Sequence, residues 1–275
     1  MKHPELATRQ LIAAGLLGAA SVGAFAPLNW FVLAWLTQAG LFILLSQEAS
    51  RDRRMRRGAL IGGAFGFGFF ITGVSWVYVS LSTFGGMPSV LAALATLLFC
   101  VFLSLYPALA GALFVRYAPK HGWHRALLLA ALLTLGEWLR GWIFTGFPWL
   151  ALGYSQTPPS PLAGYVPLFG VFGVSLLTLF VGALLGESMR GLAAKQASPR
   201  ASAAPPILLT LAVLAGGAWL GLGSGQLFGL QHPLHPGLGQ ALLQQITAMA
   251  IHQMNFIGIQ LAGSGNDMAN HRAPS

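Results

Sequence analysis

Glu137 and Arg140 stand three residues apart at the end of the apolar run ALLLAALLTLG and just before GWIFTGFPWLALGYSQ. On a helix that spacing puts both side chains on one face, where opposite charges can pair. A charge inside a bilayer costs on the order of 3 kcal/mol unless it is paired or reaches water. Two readings follow. The first is an ion pair that fixes the helix end. The second is a polar patch beneath an external cavity, ready to meet a phosphate or another polar headgroup. The residues that follow suit the second. Thr145, Tyr154, Ser155 and Gln156 supply hydrogen-bonding groups. Trp149 and Tyr154 are side chains that sit well at headgroup level, although an ordinary aromatic belt has the same composition. Gly146 and Pro148 mark a specific turn.

The elements that hold these residues are set by composition. The chain has 275 residues, 55% hydrophobic and 8% charged, with a mean hydropathy of +0.68. Soluble domains carry roughly 25% charged residues, so this composition reads as an integral membrane protein. Seven segments are long and apolar enough to cross a bilayer, about 10–26, 28–46, 58–80, 88–115, 126–143, 162–186 and 207–223. The expected fold is therefore an all-α membrane bundle of seven transmembrane helices. Leu243, Ile246, Ala250, Met254, Ile257 and Leu261 recur at helical spacing and suggest an eighth, amphipathic, C-terminal helix over 240–262. Pro27 should join the first two spans in a tight hairpin, and Pro107 should kink the fourth. Gly62 and Gly66 share a helix face, which lets a neighbouring backbone approach closely.

The net charge of +9 is topological. Thirteen of the 15 basic residues lie before the first span or in the loops after the second, fourth and sixth, the exceptions being Arg140 and Arg272. By the positive-inside rule those loops are cytoplasmic. The N-terminus is then inside, whereas LSTFGGMP at 81–88, FTGFPWLALGYSQTPPSP at 144–161 and whatever follows the seventh span are outside. Nucleic-acid binding is excluded on the same ground. The first span has a signal-peptide flavour, but cleavage would cut the hairpin at Pro27, so a retained helix is expected. Cys100 lies in an apolar run and has no intrachain disulfide partner. His232 and His235 are two ligands at most, short of the three or four a metal site uses, so no metal and no cofactor are expected. The glycines at 221, 223 and 225 follow an apolar helix and make no phosphate loop.

EWLRGWIFTGFPWLALGYSQ, followed by PLAGYVPLFGVFGVS, closely resembles bacterial apolipoprotein N-acyltransferases. So do GAASVGAFAPLNWFVLAWL, GFFITGVSWVYVSLSTFGGMP and LYPALAGALF, and the match covers roughly residues 8–222. The resemblance implies a multi-pass enzyme of the bacterial inner membrane. Such an enzyme moves an acyl chain from a membrane phospholipid, typically phosphatidylethanolamine, to the α-amino group of the diacylglyceryl-cysteine that begins a lipoprotein. It further implies eight transmembrane helices and a periplasmic nitrilase-like domain with a Glu-Lys-Cys triad, in which the cysteine forms a thioester, the glutamate acts as base and the lysine stabilises the oxyanion.

The resemblance does not cover that domain. No glutamate follows Glu187, no lysine follows Lys195 and no cysteine follows Cys100. No catalytic residue is therefore assigned, and the chain is expected to be inactive alone. Residues 1–225 are read as the transmembrane domain. Residues 226–275 are read as a low-charge tail outside the family pattern, the expected product of a frameshift or truncation near residue 223. A separate nitrilase-like chain would be a partner, alongside phospholipid and diacylated apolipoprotein. For a lipid entrance the candidates are Glu137, Arg140, Thr145, Trp149, Tyr154 and Gln156, with Trp76 and Tyr78 at the outer end of the third span. The alternative reading is a non-enzymatic membrane protein, such as a small transporter or a lipid-binding remnant. A transporter, however, would carry polar residues near the midplane.

Overall fold

The computed structural model describes residues 4–51, 55–119, 122–157, 160–197 and 204–227. The suggested helix over 240–262 and the pair His232 and His235 lie outside the described residues. The chain divides into a unit Met1–Leu222 and a second unit from Gly223 onward.

The regular elements among the described residues are all helical, with no strand among them. The eight helices are α1 (Pro4–Ser21), α2 (Phe31–Arg51), α3 (Met55–Gly73), α4 (Trp76–Val79), α5 (Ser89–Tyr117), α6 (Trp123–Arg140), α7 (Val166–Ala197) and α8 (Ala204–Leu227). Each of the seven apolar segments falls on one of these helices, with α3 and α4 sharing the third. Three stretches are long and apolar enough to cross a membrane on their own: Phe31–Ala49, Ser89–Tyr117 and Pro161–Ala193. The pair Met55–Gly73 and Trp76–Phe84 makes a fourth if counted as one span bent by 49°. The apolar helix in the seventh segment, Pro205–Gly221, is shorter. The expectation of seven spans is met only in part: the seven apolar segments are helical, and three of them, or four with the bent pair, are long and apolar enough to cross a membrane.

Helix α3 sits between α1 and α5, α6 lies beside α5 and α7, and α7 covers α2. Glycine makes the tightest of these contacts possible. A methyl group at Gly58 would run into the Gly111 carbonyl, and one at Gly62 into the Pro107 carbonyl. A methyl group at Gly66 would meet the Pro107 ring. The close-approach face expected from Gly62 and Gly66 is thus the α3–α5 seam. Pro107 lies inside α5, which runs through it as one helix. Around it the core closes on Phe42, Leu45, Phe114, Leu129 and Leu184, all fully buried.

Four hydroxyls in this apolar interior bond to their own helices. Thr96 donates to the Ala92 carbonyl at 2.8 Å, Ser104 to Cys100 at 2.6 Å, Thr178 to Val174 at 2.7 Å and Ser188 to Leu184 at 2.8 Å. Each bond spans four residues and satisfies the hydroxyl without a partner helix. At the end where the basic loops emerge, two of the cations turn inward. Arg125 is buried and donates to the Ser46 carbonyl at 3.2 Å, and Arg57 pairs with the fully buried Glu48 at 3.4 Å.

Candidate functional site

The opposite end of α6 carries the turn singled out above. The helix stops at Arg140, and Gly141 returns its N–H to the carbonyls of Glu137 and Trp138. A short 3-10 turn over Ile143–Thr145 follows, and Gly146, at φ 82°, reverses the chain. Phe147 then donates its N–H to the Arg140 carbonyl at 2.8 Å. Phe144 and Leu150 are held at φ 52° and 60°, in the left-handed region that ordinary residues avoid. Such conformations persist only where surrounding contacts over-determine them. Leu150 has such a contact, since its side chain fills the space a Cβ on Gly73 would need.

Two side chains of the bundle then capture the returning backbone. The Glu137 carboxylate accepts the Leu152 N–H at 3.0 Å, and the Ser175 hydroxyl accepts the Gly153 N–H at 2.7 Å. Glycine is required at 153 because a Cβ there would strike the Val171 carbonyl. Beyond it a polar chain closes the turn. Ser155 donates to the Leu152 carbonyl at 2.7 Å, Gln156 donates to the Ser155 hydroxyl at 2.8 Å, and Ser160 donates to the Gln156 side-chain oxygen at 2.7 Å. Gln156 also reaches the Phe31 carbonyl of α2 at 3.5 Å.

Glu137 and Arg140 share a helix face, as their spacing requires, but they close no direct salt bridge within 4.0 Å. The Arg140 guanidinium lies over the Phe70 ring, 4.9 Å from its centroid, and the residue is only 3% exposed. Both residues line a small cavity of about 50 Å³ with Gln38, Phe70, Tyr106 and Leu152. The two opposite charges face one interior space, where low-dielectric surroundings screen their attraction little.

Seven of the eight candidate residues therefore separate into two groups. Glu137, Arg140 and Gln156 are inside, holding the turn to the bundle. Trp149 and Tyr154 are 52% and 57% exposed, and Trp76 and Tyr78 are exposed as well. Trp76 and Trp149 meet with ring centroids 6.1 Å apart, and Trp149 stacks on Phe147 at 5.2 Å. Phe147 in turn meets Phe99 of α5 edge-on at 4.9 Å. Trp76, Trp149, Phe147 and Phe99 thus form one chain of rings from α4 through the turn to α5, and a π-helical segment over Ser80–Phe84 follows α4 in sequence. The Thr145 side chain is outside the described set. Gln38, Phe70 and Ser175 were not expected. Gln38 carried a legible signal, an amide within the apolar run AWLTQAGLF. Among the described residues no cluster of three or more His, Cys, Asp or Glu could hold a metal ion.

Residues 17–184 match the family model described as the apolipoprotein N-acyltransferase N-terminal domain. An apolipoprotein N-acyltransferase of Nitrosomonas europaea is 46% identical over 176 residues, which is 64% of this chain and 35% of that protein. Those of Ralstonia nicotianae and Vibrio cholerae are 45% and 43% identical over 62% and 65% of this chain, and 32% and 34% of their own lengths. The chain spans about a third of the length of these relatives. The matched segment runs from α1 to the middle of α7 and contains both the latched turn and the aromatic surface, so the chain belongs to the apolipoprotein N-acyltransferase N-terminal domain family.

Proposed function

We propose that this bundle is the membrane part of a phospholipid:apolipoprotein N-acyltransferase, seated in the bacterial inner membrane through seven spans with its N-terminus in the cytoplasm. The exposed contact of Trp76 with Trp149, with Tyr78 and Tyr154 exposed on the same two elements, is the observation that carries this reading. It is an exposed amphipathic wall at the rim of an otherwise apolar bundle, and its backbone is held in place from within. Aromatic rings that are apolar in body and polar at the tip suit the headgroup level, where a phospholipid donor and a diacylated lipoprotein acceptor would both present their reacting ends. In this reading Glu137, Arg140 and Gln156 are positioning residues for the wall. The one cysteine of the chain is not placed as a nucleophile. Cys100 is fully buried in α5, where a thiol behaves as packing.

The chemistry then belongs to a triad outside the described residues, and the 275 residues alone should transfer no acyl group. The test compares two preparations given phospholipid and a diacylated lipopeptide. The first is this chain. The second is a chimera in which residues 17–184 replace the matching part of the Nitrosomonas europaea relative. Lysophospholipid is expected from the chimera only. Release by the chain alone would overturn its assignment as a non-catalytic part, and a folded but silent chimera would overturn the family role of the bundle.

A further inference from the structure

Three residues that line the small cavity behind the turn each bury a polar atom without a hydrogen-bond partner in the protein. The atoms are the side-chain oxygen of Gln38 on α2, and Oε2 of Glu137 and Nη1 of Arg140 on α6. Gln38 and Arg140 are only 4% and 3% exposed. The other carboxylate oxygen of Glu137 is taken by the Leu152 N–H at 3.0 Å, which leaves Oε2 spare. Glu137 and Arg140 close no direct salt bridge, so neither orphan satisfies the other. A buried polar group without a partner is costly, and a buried charge more so. Folded proteins pair nearly all such groups, with their own atoms or with ordered water.

We infer that ordered water occupies this cavity and bridges Glu137 to Arg140 and to Gln38. Space allows it. The cavity holds about 50 Å³, and a single water needs roughly 10–15 Å³ with two to four polar partners. The chemistry of the orphans then selects among occupants. Two of them accept hydrogen bonds and one donates, and water does both. A cation would suit the two oxygens but would face the Arg140 guanidinium. An anion would suit Arg140 but would face the Glu137 carboxylate. An acyl tail would leave all three atoms unpaired and both charges stripped of solvent. Tyr106 of α5 lines the same space and carries a hydroxyl that water can also meet. Glu137 thus works with both oxygens, one on the Leu152 backbone and one, through water, on Arg140 and α2. The cavity and its orphans are the same whatever reaction the bundle serves.

Short X-ray pulses on the full 275-residue chain in detergent test this. The pulses split water into hydroxyl radicals, which oxidise the side chains beside the water that produced them, and mass spectrometry locates the product. Phe70 is buried and lines the cavity, whereas Phe42 and Phe114 are fully buried outside it. The exposed Trp149 serves as the dose reference. Oxidation is expected at Phe70 and not at Phe42 or Phe114. Gln38→Met removes one partner with little change in volume and should lower the Phe70 signal. Adding Glu137→Leu and Arg140→Met removes all three partners and should bring it down to that of Phe114. Each variant is checked by unchanged elution of the folded chain, and Gln38→Met carries the test if the triple variant does not fold. A wild-type Phe70 as silent as Phe114 would overturn the inference. A Phe70 signal that Gln38→Met leaves unchanged would do the same. So would a signal that sodium chloride abolishes relative to Trp149, because an ion would then hold the site.

Discussion

The carboxylate of Glu137 accepts the backbone N–H of Leu152 at 3.0 Å, fifteen residues along the chain. This bond ties the turn after α6 to the helix it has just left. A backbone donor in an apolar bundle cannot fall back on water, so the acceptor must come from the protein. Replacing Glu137 with leucine leaves that N–H without its acceptor and strips Arg140 of the opposite charge on its face. The expected loss is about 1.5–3 kcal/mol for the charged hydrogen bond, with a further loss from the stranded cation. Thermal unfolding in detergent would measure it. The double variant Glu137→Leu with Arg140→Met should recover part of the loss. If the double variant is as unstable as the sum of the two singles, the charges do not act on each other.

Leu150 and Gly73 make a second tie. Any side chain at 73 must evict the Leu150 methyl groups from their place beside α3. Gly73→Val should therefore release the turn while sparing the bundle, with little change in unfolding temperature. A cysteine placed at Tyr154, in a background with Cys100→Ala, should change its labelling rate in that variant. An unchanged rate would mean that Leu150 does not hold the turn.

Gly62 and Gly63 are neighbours with opposite expectations. A Cβ at Gly62 collides with the Pro107 backbone, whereas one at Gly63 meets the Ala108 methyl at 3.4 Å, an ordinary contact. Gly62→Ala should destabilise by about 1–3 kcal/mol, the usual cost of overpacking, and Gly63→Ala should be close to neutral. Equal effects on the unfolding temperature would refute the α3–α5 backbone seam.

These cases show what could be read before any coordinates. The α3–α5 seam was half legible. The four-residue spacing of Gly62 and Gly66 announces a close approach, but nothing in it names Pro107 as the partner. The Glu137 and Arg140 face was legible because helical period fixes it. The role of Glu137 was not, since its partner is a backbone N–H, a group every non-proline residue carries. Gly170 shows the same limit. Segment 162–186 reads as one apolar span, yet Gly170, at φ 61° and ψ −169°, breaks it, so that a 3-10 turn over Pro161–Tyr165 and a short first piece of α7 precede the long helix. Hydropathy reports burial but not the dihedral angle of one glycine. The bend between α3 and α4 was half hidden, because Gly73 stands at the break but is one of six glycines in that apolar segment, and hydropathy does not single it out.

Trp76 and Trp149 offer the sharpest test of the aromatic wall. Their rings touch across α4 and the turn, 6.1 Å between centroids, while both remain exposed. An aromatic pair of this kind contributes about 0.5–1.5 kcal/mol beyond its buried area, too little to unfold a bundle when lost. Alanine at either position, introduced into the chimera described above, should therefore leave the protein folded. If the wall receives the lipid, both variants should lower the rate of lysophospholipid release, with the drop largest at limiting phospholipid and partly reversed by Trp149→Phe, which restores a ring without the indole N–H. A loss of folded protein would point to a packing role. Wild-type release by both alanine variants would remove the wall from the path of the lipid.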